Sequence, residues 1–508
     1  MTNYLSPFLF NFNEIIDLDT EIMQLFQKSS EISEKFREIL GSIDEDLLFH
    51  ALKKKQLRKE IRRYEENKKN DSRFLFEITE QHTYEPMFLE IGRPRLKSEL
   101  ILFFLIVRGV WGSISDHAAS ERIKDSISIR NVLAHYSYDI PGINTIRENL
   151  NAVTNETRTL ILKCQSLLII EKGLDDFSRI YIDSTHVSGN TSYPTDVSIL
   201  YKLLDRAYRS FLLLKDFVFP VLASWIETRQ NKMKNHLSFI SMNVGKKGVK
   251  GKVKEKFKLM IRMADKNIKC FLKLQKEYAQ QWESSDLPPD KGIALDSLWF
   301  KIDDDIHDAE YVLYYAELLV HENIKLPARD KILSISDKDA AYIIKGQRNP
   351  VIGYKPQIAR SGNGFICGYL TPAGNAADSE MLIPTVNNVI SNTGIVPHTV
   401  STDDCYSSQE NVNTLKNDYN IFTVSMNGAK GKKLTIDDWD TTNYINARND
   451  RSAVESSMFT LKFRHHFGKL RRRGFEEVHA EQMEKVIAHN FIHMIRKEQD
   501  AVVKLKAS

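Results

Sequence analysis

The stretch Ser178–Asn190, SRIYIDSTHVSGN, marks a change in the character of the chain. Ile180, Tyr181 and Ile182 form a short β-like run that ends at Asp183 and gives way to polar turn residues. A carboxylate at a strand end is where α/β proteins place their chemistry. Taken alone it carries little weight, so its neighbours in the sequence have to support it.

Upstream, the pattern is helical. Apolar residues recur at helical spacing in Ile15–Phe26 and Phe36–Leu52, and Lys53–Asp71 reads as a strongly charged, solvated helix whose basic excess could touch a nucleic-acid backbone. Residues 94–137 predict two or three compact helices, with Gly109 and Gly112 marking a break. Asn144 or Thr145 then stands as a helix cap before a charged, periodic run. Such helices suit a DNA-binding module or a plain bundle equally well.

Downstream, Pro194-Thr195-Asp196 starts a long helix with Leu200, Leu203, Leu204, Ala207 and Phe211 on its buried face. Residues 226–320 read as mostly helical and polar. The glycine-punctuated segment Gly245–Gly251 reads as a loop leading into a helix, and the lysines in and just after it, Lys246, Lys247, Lys250 and Lys252, suit a solvated face or a phosphate-contacting arm. From about Asp330 the pattern turns to short strands, with a helix-like connection in NAADSEMLIPTVNNVI. The last strand ends in TVSTDDCYSS, which repeats at Asp403 and Asp404 the arrangement seen at Asp183.

Asn446–Gly474, NARNDRSAVESSMFTLKFRHHFGKLRRRG, predicts one helix with Val454, Met458 and Leu461 as its buried stripe. Arg451, Glu455 and Lys462 fall on a neighbouring face, as an ion-paired surface or as a metal-binding carboxylate beside phosphate-binding cations. His465 and His466 are adjacent, point in different directions and read as surface or DNA-backbone residues.

The 508 residues suffice for two to four domains, and 42% apolar with 27% charged residues is the make-up of an ordered soluble protein. A net charge of +4 places any affinity for nucleic acid in local patches. Four scattered cysteines form no CxxC pair, which points to a reducing cytoplasm and away from structural zinc. No signal peptide is expected, and the apolar stretches Leu100–Val107 and Phe211–Trp225 are expected to be buried helices.

Three carboxylates among 67 acidic residues would be poor evidence by themselves. The pieces FFLIVRGVWGSISDHAASERI, NTIRENL, DSTHVSGNTSYPTDVSILYKLLDRAYR, SISDKDAAYIIKG, GYKPQIARSGNGFI, TPAGNAADSEML, STDDCYSSQEN and, most strongly, RSAVESSMFTLKF recur in a specific order over about residues 95–495. In these the chain resembles the DDE transposases of bacterial insertion sequences, near the ISNCY-like group. The resemblance implies catalytic, metal-binding carboxylates at Asp183, Asp403 and Glu455. Cys405 stands where the family's second-aspartate motif usually has glycine. A Tyr-Arg-Glu-Lys signature falls on Arg451, Glu455 and Lys462, with Arg448 at the tyrosine position.

The implied fold is α/β: a ribonuclease H-like catalytic core with an N-terminal helical region and a large helical insertion after the first core strand. Asp183 would end the first strand and Asp403 the fourth. Only 52 positions separate Asp403 from Glu455, too few for a large domain there. The expected divisions are 1–95 and 96–175 helical, the latter for DNA binding, then 176–200 for the first strand. An insertion over 201–327, the remaining core over 328–495 and a tail over 496–508 complete them. The implied activity is cleavage of element ends and transfer of their 3′ hydroxyls into target DNA, with two Mg2+ ions or Mn2+ in their place. DNA contacts are expected at Arg448, Arg451, Lys462, Lys246, Lys247, Lys250, Lys252, Arg471 and Arg472. The partners are double-stranded terminal inverted repeats, target DNA and a further copy of the chain, in the cytoplasm. The alternatives are a ribonuclease H-like nuclease without strand transfer and an inactive DNA-binding relic.

Overall fold

The computed structural model describes residues 12–40, 96–112, 115–191, 195–213, 220–283, 289–344 and 349–507. The charged stretch Lys53–Asp71 and most of Phe36–Leu52 lie outside them. The chain divides into two compact units, one of residues 1–189, 355–372 and 376–508, the other of residues 190–354 and 373–375.

The first unit opens with helices α1 (Phe12–Leu40), α2 (Ser98–Trp111), α3 (Asp116–Asp125), α4 (Ile127–His135), α5 (Ile143–Ala152) and α6 (Asn155–Glu171). Strands β1 (Arg179–Ser184) and β2 (Val187–Ser188) come next. All eight residues of Leu100–Val107 are buried, as their apolar character requires. Gly112 caps α2 with a positive φ, but Gly109 lies inside the helix rather than at a break. A Cβ at Gly109 would stand 2.6 Å from the Glu484 carbonyl oxygen, so glycine here permits close helix–helix approach. Asn144 and Thr145 likewise fall within the first turn of α5, whose cap is Gly142.

The second unit holds α7 (Asp196–Leu212), α8 (Pro220–Asn243), α9 (Lys250–Glu283), α10 (Pro289–Glu317) and the antiparallel strands β3 (Ala341–Ile343) and β4 (Val351–Tyr354). Thr195 caps α7 through its side chain, and Leu200, Leu203, Leu204, Ala207 and Phe211 are buried as the periodicity predicts. They pack with Met260, Ala264, Phe271, Ile306 and Val312 of the long helices. Arg206 reaches across to the buried Asp305, joining α7 to α10. Phe211–Trp225 is not one buried helix: α7 stops at Leu212, α8 starts at Pro220, and Leu213 and Trp225 are exposed. Proline lacks an amide hydrogen and suits a helix start, which puts the boundary there.

Back in the first unit, β5 (Gln357–Ser361), β6 (Ile366–Leu370), β7 (Thr399–Asp403) and β8 (Thr423–Asn427) join β1 in a five-stranded sheet of order β6-β5-β1-β7-β8. β1 runs antiparallel to β5 and parallel to β7, and β7 runs parallel to β8. In chain order β7 is the fourth strand of this sheet. Helices α11 (Asp378–Thr393), α12 (Gln409–Asn413), α13 (Ala429–Leu434), α14 (Thr442–Asp450), α15 (Ala453–Arg464) and α16 (Phe475–Ala507) complete the unit.

Alternation along β6 shows both faces of the sheet covered. A Cβ on Gly368 would meet Val389 of α11, whereas Tyr369 sends its hydroxyl to Gln482 of α16. Asn490 of α16 bonds both the N–H and the carbonyl of Ile366. Ile180, Ile182, Ile358, Val400, Val424 and Met426 fill the strands' buried positions. The arrangement is a mixed α/β domain with flanking helices, consistent with a ribonuclease H-like core. Among the described residues, no single helix is long and apolar enough to cross a membrane.

Candidate active site at one sheet edge

β1 and β7 pair with Arg179 opposite Thr399 and Tyr181 opposite Ser401. Continuing that register by two residues sets Asp183 level with Asp403, at the carboxyl end of two adjacent parallel strands. Side chains two apart on a strand share a face, so Tyr181 and Asp183 point the same way. Tyr181 donates to Asp450 Oδ2 at 3.2 Å, the last residue of α14, and this bond fastens the end of that helix to the face carrying Asp183.

Arg451 is the next residue in the chain. The predicted single helix over 446–474 is interrupted here: α14 ends at Asp450 and α15 begins at Ala453. The turn between them uses short i→i−3 bonds, from Val454 N–H to the Arg451 carbonyl and from Glu455 N–H to that of Ser452. Val454, Met458 and Leu461 are buried, as predicted. The Arg451 guanidinium joins two carboxylates, with Nη1 3.4 Å from Asp183 Oδ2 and Nη2 3.1 Å from Glu455 Oε1. Asp183 keeps only 9% of its side-chain surface exposed, whereas Glu455 keeps 61%. Arg360 of β5 anchors α15 from below through the Ser457 hydroxyl at 3.0 Å.

Asp403 and Asp404 have separate tasks. Asp403 Oδ1 accepts the Cys405 N–H at 3.0 Å across a tight turn in which Cys405 needs no left-handed backbone. Cysteine in place of glycine therefore costs the turn nothing. Asp404 turns away to α13: its carboxylate takes the N–H groups of Gly431 at 2.7 Å and Lys430 at 3.2 Å, and the Ser407 hydroxyl. Partial burial acts to raise its pKa, but the Gly431 and Lys430 N–H groups and Ser407 outweigh this and hold it below the usual carboxylate range. Gly428 makes the approach possible, at φ 138° with its Cβ position 2.3 Å from Asp404 Cγ. Gly428→Ala is expected to lower stability by about 1–3 kcal/mol, read as a lower midpoint in urea unfolding.

Four side chains that the sequence pattern left without a role back this edge. Tyr406 is buried and donates to Gln357 Oε1. Burial, with Asp378, Asp183 and Asp403 facing it, raises its phenol pKa well above the ordinary value and keeps it a donor. Gln357 Nε2 in turn donates to Asp378 Oδ1 at 3.1 Å, and the Lys355 ammonium lies 3.3 Å from the same oxygen. Their motifs, GYKPQIARS and TPAGNAADSEML, stand out in the sequence without showing that they converge.

The basic residues predicted to meet DNA divide into committed and exposed groups. Arg448 stacks over the Trp439 ring, 4.6 Å from its centre. Arg472 pairs with Asp116 and Glu477 and lies 3.6 Å from Glu484. Lys462 is half-buried, Arg471 is exposed, and Lys246, Lys247, Lys250 and Lys252 are exposed around the start of α9 in the second unit. His465 is not a surface residue. The chain turns through a left-handed His466 after α15, which buries the His465 ring near His489 and lowers its pKa to about 4.

Two carboxylates stand at adjacent strand ends of a mixed sheet, and one arginine joins the first of them, Asp183, to the helix residue Glu455. Residues 320–491 match the transposase DDE domain. The match takes in Asp403 and Glu455 and begins after Asp183. No curated protein and no solved structure matches the chain. Transposases with a DDE domain act through divalent ions. Among the described residues, no group of three or more His, Cys, Asp and Glu side chains is assembled as a metal site. The donor chemistry nevertheless suits a hard cation: Asp183 and Asp403 offer carboxylate oxygens from adjacent strand ends, and a cationic guanidinium already sits against Asp183 and Glu455.

Proposed function

We propose that this chain is a DDE transposase, near the ISNCY-like group, with a ribonuclease H-like core and the second unit inserted after its first strand. It cleaves the ends of an insertion element and joins the freed 3′ hydroxyls to target DNA. The observation that carries this reading is the pair of adjacent strand ends bearing Asp183 on β1 and Asp403 on β7, with Arg451 linking Asp183 to Glu455. Asp183 and Asp403 would hold Mg2+ or Mn2+, and Glu455 would complete the set on exchanging its arginine partner. A bound divalent ion supplies Lewis-acid polarisation of the phosphodiester and favours the ionised form of the attacking hydroxyl.

In the first step a water oxygen bonds to the end phosphorus, and the bond to the element's 3′ oxygen breaks, leaving a 3′ hydroxyl. That hydroxyl then attacks a target phosphorus and releases a target 3′ hydroxyl, so each step makes one P–O bond and breaks one. Arg451 and Lys462 offer cations beside the carboxylates for the substrate phosphates. The exposed lysines around Gly245–Gly251 are the proposed backbone contacts of the second unit. The protein acts on DNA in the cytoplasm, as a dimer or larger assembly.

The test is an assay of the purified chain with DNA that carries the ends flanking its reading frame, plus a target plasmid and Mg2+. Joined products are expected. Nicking without joining would assign a nuclease, and end binding without either would assign a relic. In the same assay Asp403→Asn is expected to abolish cleavage, while Asp404→Asn keeps at least roughly a tenth of it, since an amide oxygen still accepts from Gly431. Equal loss in both variants would contradict the division of labour between the two aspartates.

A further inference from the structure

The outward face of α15 carries an arrangement that the carboxylate chemistry does not use. Phe459 and Phe463 are exposed at 60% and 66%, and their rings lie against each other with centres 4.2 Å apart. They sit four and eight residues beyond Glu455, one and two helical turns along from the carboxylate. Isolated exposed phenylalanines are ordinary, but a contacting pair beside a candidate active site is not.

The surroundings of the pair decide what it fits. At three- and four-residue spacing on the helix its neighbours are Glu455, Ser456, Thr460 and Lys462, with no other large apolar side chain of α15 exposed. A stable protein interface buries roughly 800 Å² on each partner around an apolar centre, far more than two rings in a polar rim provide. Aromatic faces beside cations are instead the combination that holds unpaired nucleic acid, with bases stacking on the rings while Lys and Arg follow the phosphates.

We infer that Phe459 and Phe463 form a stacking platform for an unpaired base of the DNA held at the Asp183–Asp403–Glu455 edge. The inference rests on the transposase reading and adds to it a preference for strands opened next to the cut. Stacking on the pair holds a frayed end one to two turns from Glu455.

The test compares a short hairpin duplex with the same duplex bearing an unpaired flap that contains 2-aminopurine, both titrated with the full chain and no divalent ion added. The wild-type chain is expected to prefer the flap and to quench its fluorescence. The double variant F459A/F463A is expected to lose about 10- to 100-fold in affinity for the flap while its affinity for the plain duplex stays within about twofold. F459Y/F463Y should retain the preference, and thermal unfolding should match the wild type because both rings are exposed. Quenching and flap preference that survive in F459A/F463A overturn the platform. So does a wild-type chain that binds duplex but shows no flap preference, and that outcome leaves the transposase reading intact. Failure to bind either DNA overturns both. A shift from dimer to monomer in F459A/F463A with flap binding unchanged reassigns the pair to contact between copies of the chain.

Discussion

Asp183→Asn is expected to abolish metal-dependent cleavage, by about 10³-fold or more, with end binding retained. The amide keeps the shape of the side chain but removes the charge that a divalent ion needs, and an ion's contribution of several kcal/mol corresponds to several powers of ten in rate. Stability should change little, because Arg451 keeps Glu455 as a partner at 3.1 Å after the substitution. The measurements are initial cleavage rates with Mg2+ and with Mn2+, Mn2+ binding monitored by electron paramagnetic resonance, and thermal unfolding. Mn2+ binding of wild-type strength in the variant, or cleavage within tenfold of wild type, would remove Asp183 from the site.

Glu484→Gln is expected to be the most destabilising single change in the first unit. The Glu484 carboxylate is buried on α16 and meets Arg108 Nη2 at 2.6 Å and Arg158 Nη2 at 2.7 Å, with Arg472 Nη1 at 3.6 Å. Burial opposes its charge, but the Arg108, Arg472 and Arg158 guanidinia overcome it and hold its pKa down to about 2. Neutralising it removes the carboxylate that Arg158 pairs with and leaves Arg108 and Arg472 sharing Asp116, with Glu477 also on Arg472, at a cost of about 3–5 kcal/mol. The unfolding temperature should fall by roughly 10 °C, and a fall under about 2 °C would show that the arginines find other partners.

The same group makes a pH signature. With its folded pKa below the unfolded value, its contribution is complete above about pH 4.5 and is lost as pH falls towards 2. His465 and His489 act in the same direction at higher pH. Burial, with neighbouring cationic groups, lowers them to about 4 and about 3, so they favour the folded state above their unfolded value and oppose it as pH falls. Acid unfolding of the wild type should therefore begin below about pH 6.5 and steepen below about 4.5, and Glu484→Gln should steepen less there, with Asp404 and Glu498, whose pKa values are also lowered, still contributing.

These two sites differ in how far the sequence reveals them. Asp183 and Asp403 end short apolar runs, and a period of two before turn residues is a local signal. The same holds for Val454, Met458 and Leu461 on α15 and for the leucine face of α7. The break at Arg451 has no local signal. Neither proline nor glycine marks it, and it arises where Tyr181 fastens Asp450 to β1, 269 positions away in the chain. Asp404 looks interchangeable with Asp403 until Gly428 and Gly431 are seen to come up against it. His465 reads as solvated because it comes after a charged helix, yet a left-handed residue beyond it turns the chain inward. Glu484 is hardest of all. Charged residues on a helix ordinarily face water, and three arginines from α2, α6 and the approach to α16 converge on it only in the folded chain.

The sheet order also bears on how the protein is made. β1 leaves the ribosome early, but both strands that flank it, β5 and β7, lie beyond residue 356. During synthesis residues 190–354, nearly all of the second unit, emerge before either neighbour exists. The strand carrying Asp183 must therefore wait with both edges unpaired while roughly 170 further residues emerge, the kind of non-local pairing that slows folding and invites misassociation. A product truncated near residue 354 would contain nearly all of the second unit with a single orphaned strand of the five-stranded sheet.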